Sequence, residues 1–374
     1  MITCSAPGKL FVVGEYAVVE PGRLAILVAV DRRVSVTVSP GELAGRVAVT
    51  SDLFSGTVEF VRVDARLVPC VDDSGPAPRL NHVVSAIETV ERLVVERGLP
   101  VRPLTLDITS ELHEDGTKFG LGSSGAVTVA TISAVGACYG LDLTPEQRYR
   151  LAMLATARIG ARASGGDLAA SVWGGWIAYS APDRTDILGM AERLGIDRTI
   201  HAEWPGFSIK RLQPPADLTF EVGWTGVPAA TDTLVAGLAE RNRNNASFYR
   251  SFLWRSDECV RTCIAALRDG ENREFLRQIR RFRDLLQTAD GITRIGIFTP
   301  RMTTLCDTVE QVGGAAKPSG AGGGDCGIAF LDHTAHHQLE TLRARWRAAG
   351  IRPLSIRVPA VEKEVRDDDR QPQG

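Results

Sequence analysis

The chain has 374 residues, enough for two domains of ordinary size or one large one. A content of 44% hydrophobic and 24% charged residues excludes wholesale disorder and a collagen-like rod, and no apolar run reaches the roughly 18 residues of a transmembrane helix. A formal net charge of −2 argues against a dedicated nucleic-acid or membrane-surface binder.

Residues 9–13 and 25–38, rich in Val, Ile and Leu, read as strands around a Pro21-Gly22 turn, and strand signals continue through 46–63. A loop is expected over 68–80. Residues 81–97 place Val83, Val84, Ile87, Val90 and Val94 at helical spacing, and Gly98-Leu99-Pro100 stops the helix. A strand at 104–108 leads to a glycine-rich stretch, 116–125, and then a helix over 124–139 ending at Gly140. Thr144 as N-cap, Pro145 in the first turn and Gln147 completing a capping box open the next helix, to about 162. A loop at 163–167, a helix through 170 and a strand at 176–179 follow, and 181–206 reads as a connection with one short helix.

Beyond it come a strand at 219–224, helices at 232–245, 247–269, 273–289 and 299–312, and a second glycine-rich stretch at 313–324. A strand at 326–331, a helix at 333–349 and a strand at 354–358 complete the pattern, and the charged residues 362–374 are expected to be a disordered tail. Within 273–283, Phe275, Leu276, Ile279 and Phe282 face inward and the arginines form a solvated face. Strands and helices that do not alternate strictly imply an α+β protein of two layered domains. The loop-rich composition over 180–215 puts the boundary there, giving domains 1–200 and 201–361.

The chemistry concentrates in four segments. In GTKFGLGSSG (116–125), Gly120, Gly122 and Gly125 allow tight turning and close backbone approach, and Ser123 and Ser124 add hydroxyls at a helix start. Such a start, with its free N–H groups and partial positive charge, is a phosphate cradle, and either serine could ligate Mg²⁺. The segment is neither a Walker loop nor the G-x-G-x-x-G dinucleotide pattern. In KPSGAGGGDCG (317–327), Gly320, Gly322, Gly323 and Gly324 demand unusual dihedrals or a ligand against the backbone, unless they form a flexible turn. In SAPGKLFVVGEYAVV (5–19), Lys9 starts a strand, ordinarily a surface position. In ASGGDLAA (163–170), the spacing suits Asp167 as a helix N-cap.

Only five lysines stand against 38 arginines, and Lys9, Lys118 and Lys317 lie in or beside glycine-bearing segments, where a compact ammonium suits phosphate oxygens. No G-x-S-x-G elbow or H-E-x-x-H motif occurs, and the six histidines show no ligand spacing. Seven unpatterned cysteines without a C-x-x-C pair suit a reducing cytoplasm, and MITCSAPGKLF lacks the features of a signal peptide.

Taken together, PGKLFVVGEYAVV, KFGLGSSGAV and KPSGAGGGDCGIA resemble the three ordered motifs of the GHMP small-molecule kinase superfamily, and GGDLAASVWGG resembles the stretch that holds its aspartate. GEYAV with Tyr16, Lys118 ahead of the glycines, GDLA around Asp167, VGWTG around Trp224 and SGAGGGDCGIA are most similar to the bacterial branch acting on phosphorylated mevalonate. The resemblance implies an N-terminal α/β ATP-binding domain and a C-terminal ferredoxin-like domain, with ATP and substrate between them. It implies transfer of phosphate from ATP, with Mg²⁺, to 5-phosphomevalonate, giving 5-diphosphomevalonate for isoprenoid synthesis.

By the same resemblance Gly120, Leu121, Gly122, Ser123, Ser124 and Gly125 hold the ATP phosphates, and Ser124 touches Mg²⁺. Lys9, Lys118 and Asp167 carry the chemistry, and Lys9, Tyr16, Ser319, Gly320, Ala321 and Gly322 bind the substrate. One position departs from the relatives that phosphorylate alcohols: where they carry a Mg²⁺-binding Glu about 11 residues before the aspartate, this chain has Thr156 between Ala155 and Ala157. That favours phosphates and water as the metal's main ligands. Mevalonate kinase or another member of the superfamily, and a non-catalytic ATP or metabolite sensor, are the other readings. No nucleic-acid or membrane partner is expected, and a homodimer is left open.

Overall fold

The computed structural model describes residues 1–70, 80–114, 116–160, 164–229, 234 and 245–359. The expected tail at 362–374, most of the expected helix at 232–245 and most of the loop at 68–80 lie outside the described residues.

Alternating β-branched residues build a long antiparallel pair, β1 (Ile2–Val13) and β2 (Leu24–Pro40), in register from Ile2 opposite Val38 to Val13 opposite Ile26. The register slips between Pro7, opposite Arg33, and Lys9, opposite Ala29, so the extra residues bulge out of β2 across from Gly8. The remaining strands of the first sheet are β3 (Arg46–Ser51), β4 (Phe54–Val63), β5 (Arg66–Pro69), β6 (Leu104–Ser110), β9 (Trp176–Ser180) and β10 (Ser208–Leu212). They run β10-β9-β2-β6-β3-β4-β5, with β1 added on β2. A two-residue hairpin, β7 (His113–Glu114) and β8 (Thr117–Lys118), stands apart.

One layer of helices covers this sheet: α1 (Asn81–Glu96), α2 (Ser123–Cys138), α3 (Pro145–Arg158) and α4 (Gly166–Trp173). Helix α2 carries small or β-branched residues on every side. It is buried between β1 and β2 on one side and α1, α3 and α4 on the other. The capping box forms as expected: Thr144 Oγ1 accepts from the Gln147 N–H at 3.2 Å, and Gln147 Oε1 accepts from the Thr144 N–H at 3.0 Å. Thr144→Ala is therefore expected to cost about 0.5–2 kcal/mol, checked by denaturant unfolding.

Between β9 and β10 the chain forms two helices, α5 (Arg184–Leu194) and α6 (Ile196–His201), where one was expected. Asp183 caps the first through the Thr185 N–H at 2.8 Å, and Gly195, at φ +82°, separates it from the second. Since β10 still pairs with β9, the first sheet ends at Leu212, and the changeover comes after 212 rather than at 200.

The second sheet comprises β11 (Leu218–Trp224), β12 (Ala315–Pro318), β13 (Cys326–Asp332) and β14 (Arg352–Leu354), fully antiparallel in the order β12-β13-β11-β14. Helices α7 (Ala246–Asp269), α8 (Asn272–Thr293) and α9 (Pro300–Glu310) connect β11 to β12, and α10 (His336–Ala348) connects β13 to β14. The strand order is that of a ferredoxin-like β-α-β-β-α-β unit. The last strand covers 352–354 rather than 354–358.

Phe275, Ile279 and Phe282 of α8 are fully buried, as their spacing implies. Trp176 of the first sheet lies 6.3 Å from the Phe275 ring and 6.0 Å from Phe330 of the second, so one apolar core joins the sheets. Among the described residues no helix is long and apolar enough to cross a membrane.

Candidate active site

Three glycines of the 116–125 stretch report what presses on it. Gly120 and Gly122 both take φ +78°, a conformation that costs an L side chain energy, and Gly122 is the N-cap of α2. A Cβ on Gly122 would lie 2.9 Å from Lys9 Cε, one on Gly125 2.6 Å from Asp167 Oδ2, and one on Gly120 2.2 Å from Asp325 Cγ. The loop is held to β1 by the Lys9 N–H donating to the Leu121 carbonyl at 2.7 Å, beside the register slip at Gly8. Leu121 itself is buried, so the loop offers backbone to a ligand. Ser123 and Ser124 occupy the first turn of α2, half-buried, where N–H groups lack helical partners and the helix dipole is positive.

Lys9 is half-buried, with Nζ 5.2 Å from the centre of the Phe11 ring. Asp167 is not the N-cap that its spacing suggested: Gly165, at φ +77°, caps α4. A Cβ on Gly165 would strike Met153 Sδ at 2.6 Å, so close packing there starts the helix early and leaves the Asp167 carboxylate facing Gly125. Lys118 is exposed on β8, opposite His113, and the contacts that tie Lys9, Asp167 and Asp325 to the loop do not involve it.

The second glycine stretch is anchored from beneath by three side chains. Lys317 is fully buried: its ammonium is ion-paired with Glu15 and donates to the Pro318 carbonyl at 2.6 Å, so it is closed to phosphate. Ser319 is buried with its hydroxyl accepting from the Phe11 N–H at 2.8 Å and donating to the Phe11 carbonyl at 3.0 Å, which staples the loop to β1. Tyr16 is buried, and its hydroxyl donates to the Ala321 carbonyl at 2.5 Å. Burial, reinforced by the Asp290 and Glu15 charges, pushes that phenol far above its ordinary pKa, so it stays a donor to the loop and holds it from below.

Of the other loop residues, Gly320 donates its N–H to Glu15 Oε1 at 3.2 Å and has open space beside its Cα. Ala321 is half-buried, and a Cβ on Gly322 would lie 2.5 Å from the Ile297 carbonyl oxygen. The glycines here serve close backbone packing as well as turning.

Two acids escaped the sequence reading. Glu15 organises the second loop, and Asp325 ends the glycine run facing Gly120, with Oδ1 accepting from the Ala229 N–H at 2.9 Å. The available signal for Asp325 was its position as the lone acid closing a glycine run; it adopts φ +50°, unusual for a non-glycine residue. Burial raises its carboxyl pKa, while the Ala229 N–H and Lys9 pull it down. An acid whose folded pKa is raised contributes stability that is present below its ordinary range near 3.8 and lost as pH rises through the folded value. Asp325→Asn keeps the acceptor for Ala229 without that charge. Its melting temperature relative to the parent is expected to rise as pH climbs from about 3 to 7, measured by scanning calorimetry.

The metal expectation fits only in part. Thr156 is buried with Oγ1 lacking a partner, and among the described residues no group of three or more His, Cys, Asp or Glu could hold a metal ion. The chain therefore offers Ser124 and Asp167 near the loop but no closed cage.

The profile of the GHMP kinases N terminal domain matches residues 81–175, and that of the GHMP kinases C terminal matches 263–350. Phosphomevalonate kinase of Streptomyces sp. (strain CL190) is 55% identical over 362 residues, 96% of each chain. Mevalonate kinase of Thermococcus sibiricus is 28% identical over 87% of each chain. Streptococcus pneumoniae phosphomevalonate kinase, solved in complex with phosphomevalonate and AMPPNP, superposes with a TM-score of 0.82 at 29% identity, over 96% of this chain and 99% of that one. The chain belongs to the GHMP kinases, in their phosphomevalonate kinase branch.

Proposed function

We propose that this enzyme transfers the γ-phosphoryl group of ATP to (R)-5-phosphomevalonate, giving ADP and (R)-5-diphosphomevalonate in the mevalonate route to isoprenoids. The observation that carries the reading is the convergence of Lys9 and Asp167 on the glycine loop at the head of α2. In this reading Gly120, Leu121, Gly122 and Gly125 present backbone to the β- and γ-phosphates, with Ser123 and Ser124 adding hydroxyls. Lys9 lies against Gly122, where its ammonium meets charge developing between donor and acceptor. Ser124 would hold Mg²⁺, which would supply further charge neutralisation there.

Lys118, exposed on the hairpin before the loop, approaches the acceptor phosphate from the rim. Gly320 and its neighbours face the acceptor, and Tyr16 and Ser319 keep that loop in place as positioning residues. Thr156 in place of a metal-binding acid favours a phosphate acceptor over an alcohol, because a phosphate needs less activation. The test is an acceptor panel with ATP and Mg²⁺, read by coupled ADP release. Phosphomevalonate is expected to exceed mevalonate in kcat/KM by at least about 10³, the discrimination a site built for a charged group achieves. Comparable rates with mevalonate would assign the mevalonate kinase reading, and no turnover with either would assign the sensor.

A further inference from the structure

A cleft of about 270 Å³ opens beside the catalytic region, lined by Ser5 and Pro7 of β1, Arg33 of β2, Ser133 of α2, Arg148 of α3 and Ser171 of α4, among others. Most buried or half-buried arginines here are matched to acids, as Arg62 is to Glu91 and Arg343 to Glu221. The two in the cleft are not: among the described residues neither guanidinium has a carboxylate within ion-pairing distance. Among the described residues the Arg33 guanidinium donates only to Ser5, from Nε to Oγ at 2.8 Å and from Nη2 to the carbonyl at 3.2 Å, leaving Nη1 without a partner there. The nearby Glu111 carboxylate is hydrogen-bonded to the Arg33 backbone N–H at 2.9 Å. Arg148 has its Nε buried without a partner among the described residues, a group that a ligand could satisfy.

We propose that this cleft is a second anion site, separate from the phosphate loop, that takes a small phosphorylated acid. Two guanidinium forks suit a phosphate and a carboxylate on one molecule, and Ser5 Oγ, an acceptor toward Arg33, keeps its own proton to donate. The 270 Å³ volume admits a small acid. Ser133 lies ten residues along α2 from Ser123, roughly 15 Å from the head of the helix. The back of the cleft is nonetheless wired to the catalytic residues. Ser171 Oγ donates to the Pro7 carbonyl at 2.7 Å; Pro7 is two residues before Lys9, and Ser171 one turn after Asp167.

Calorimetric titration of the full chain with 3-phosphoglycerate, which carries both charges on a short carbon skeleton, tests the site. Binding is expected to weaken about tenfold or more in Arg148→Gln and in Arg33→Gln, the loss of a charge-assisted pair. Glycerol 3-phosphate, without the carboxylate, is expected to bind less tightly than 3-phosphoglycerate. Ser133→Leu fills the cleft without removing a charge and is expected to abolish binding while kcat stays unchanged, which also shows that the fold is intact. Lys9→Ala is expected to leave the titration as it is in the parent. The proposal is overturned if no binding occurs at millimolar concentrations, if Arg148→Gln and Ser133→Leu bind like the parent, or if Lys9→Ala removes the signal, which would place the anion at the phosphate loop.

Discussion

Lys9→Ala is expected to lower kcat roughly 10²- to 10³-fold, the range for one preorganised electrostatic contact, and Asp167→Asn to lower it less. The order follows from the acceptor. A phosphate monoester has a second pKa near about 6, so at neutral pH its attacking oxygen is already largely deprotonated and a general base gains little. The obstacle is the approach of two anions, and a cation at the meeting point relieves it. Lys9 is suited to that place: its side chain packs against Gly122, and its own N–H fixes the loop through Leu121. Asp167 packs against Gly125, where it can orient the lysine or the metal, and asparagine retains an acceptor of similar shape. Steady-state rates at saturating ATP and phosphomevalonate decide the matter. A larger loss in Asp167→Asn would show that proton abstraction, and not charge neutralisation, limits turnover.

The elements legible in the sequence were those whose signals are local. Thr144, Pro145 and Gln147 specify a helix start within four residues, and that helix starts there. The apolar stripe of Phe275, Ile279 and Phe282 is buried as its spacing implies. The glycines of 116–125 announced a strained loop at a helix head because only glycine takes φ +78° without cost. What stayed hidden depends on distant partners. Nothing near Lys317 in sequence says that Glu15, 302 residues away, removes it from solvent, or that Phe11 uses up the Ser319 hydroxyl from 308 residues away. Strand β12 is four residues long and runs into the glycine stretch, so its period-2 signal is too short to read. Strand β10, SIKRL, is largely exposed at the sheet edge and lacks an apolar face. Asp167 was misplaced as a cap because an acid after two glycines fits both a cap and a first turn, and Met153 packing on Gly165 selects the second.

The two readings of Lys317 make opposite forecasts, and Lys317→Met separates them. If the ammonium touched phosphate, methionine would lower kcat/KM and leave stability almost unchanged. In the structure the ammonium is fully buried, paired with a Glu15 that is 2% exposed, and sits 5.5 Å over the Phe282 ring. Removing it leaves the Glu15 carboxylate buried with only the Gly320 N–H, its Oε2 already lacking a partner. Breaking one side of such a pair typically costs about 3–5 kcal/mol, against about 0–1 kcal/mol for an exposed pair. Lys317→Met is therefore expected to lower the stability measured by urea unfolding by several kcal/mol, on that scale. The double variant Glu15→Gln with Lys317→Met removes the stranded charge, so it is expected to recover a substantial part of the loss, because the penalty lies in the orphaned carboxylate more than in the lost attraction. Recovery of stability in the double variant without full recovery of phosphomevalonate turnover would then measure what the Glu15–Gly320 contact contributes to holding the loop. A stable Lys317→Met protein with impaired turnover would move the lysine back to the phosphates.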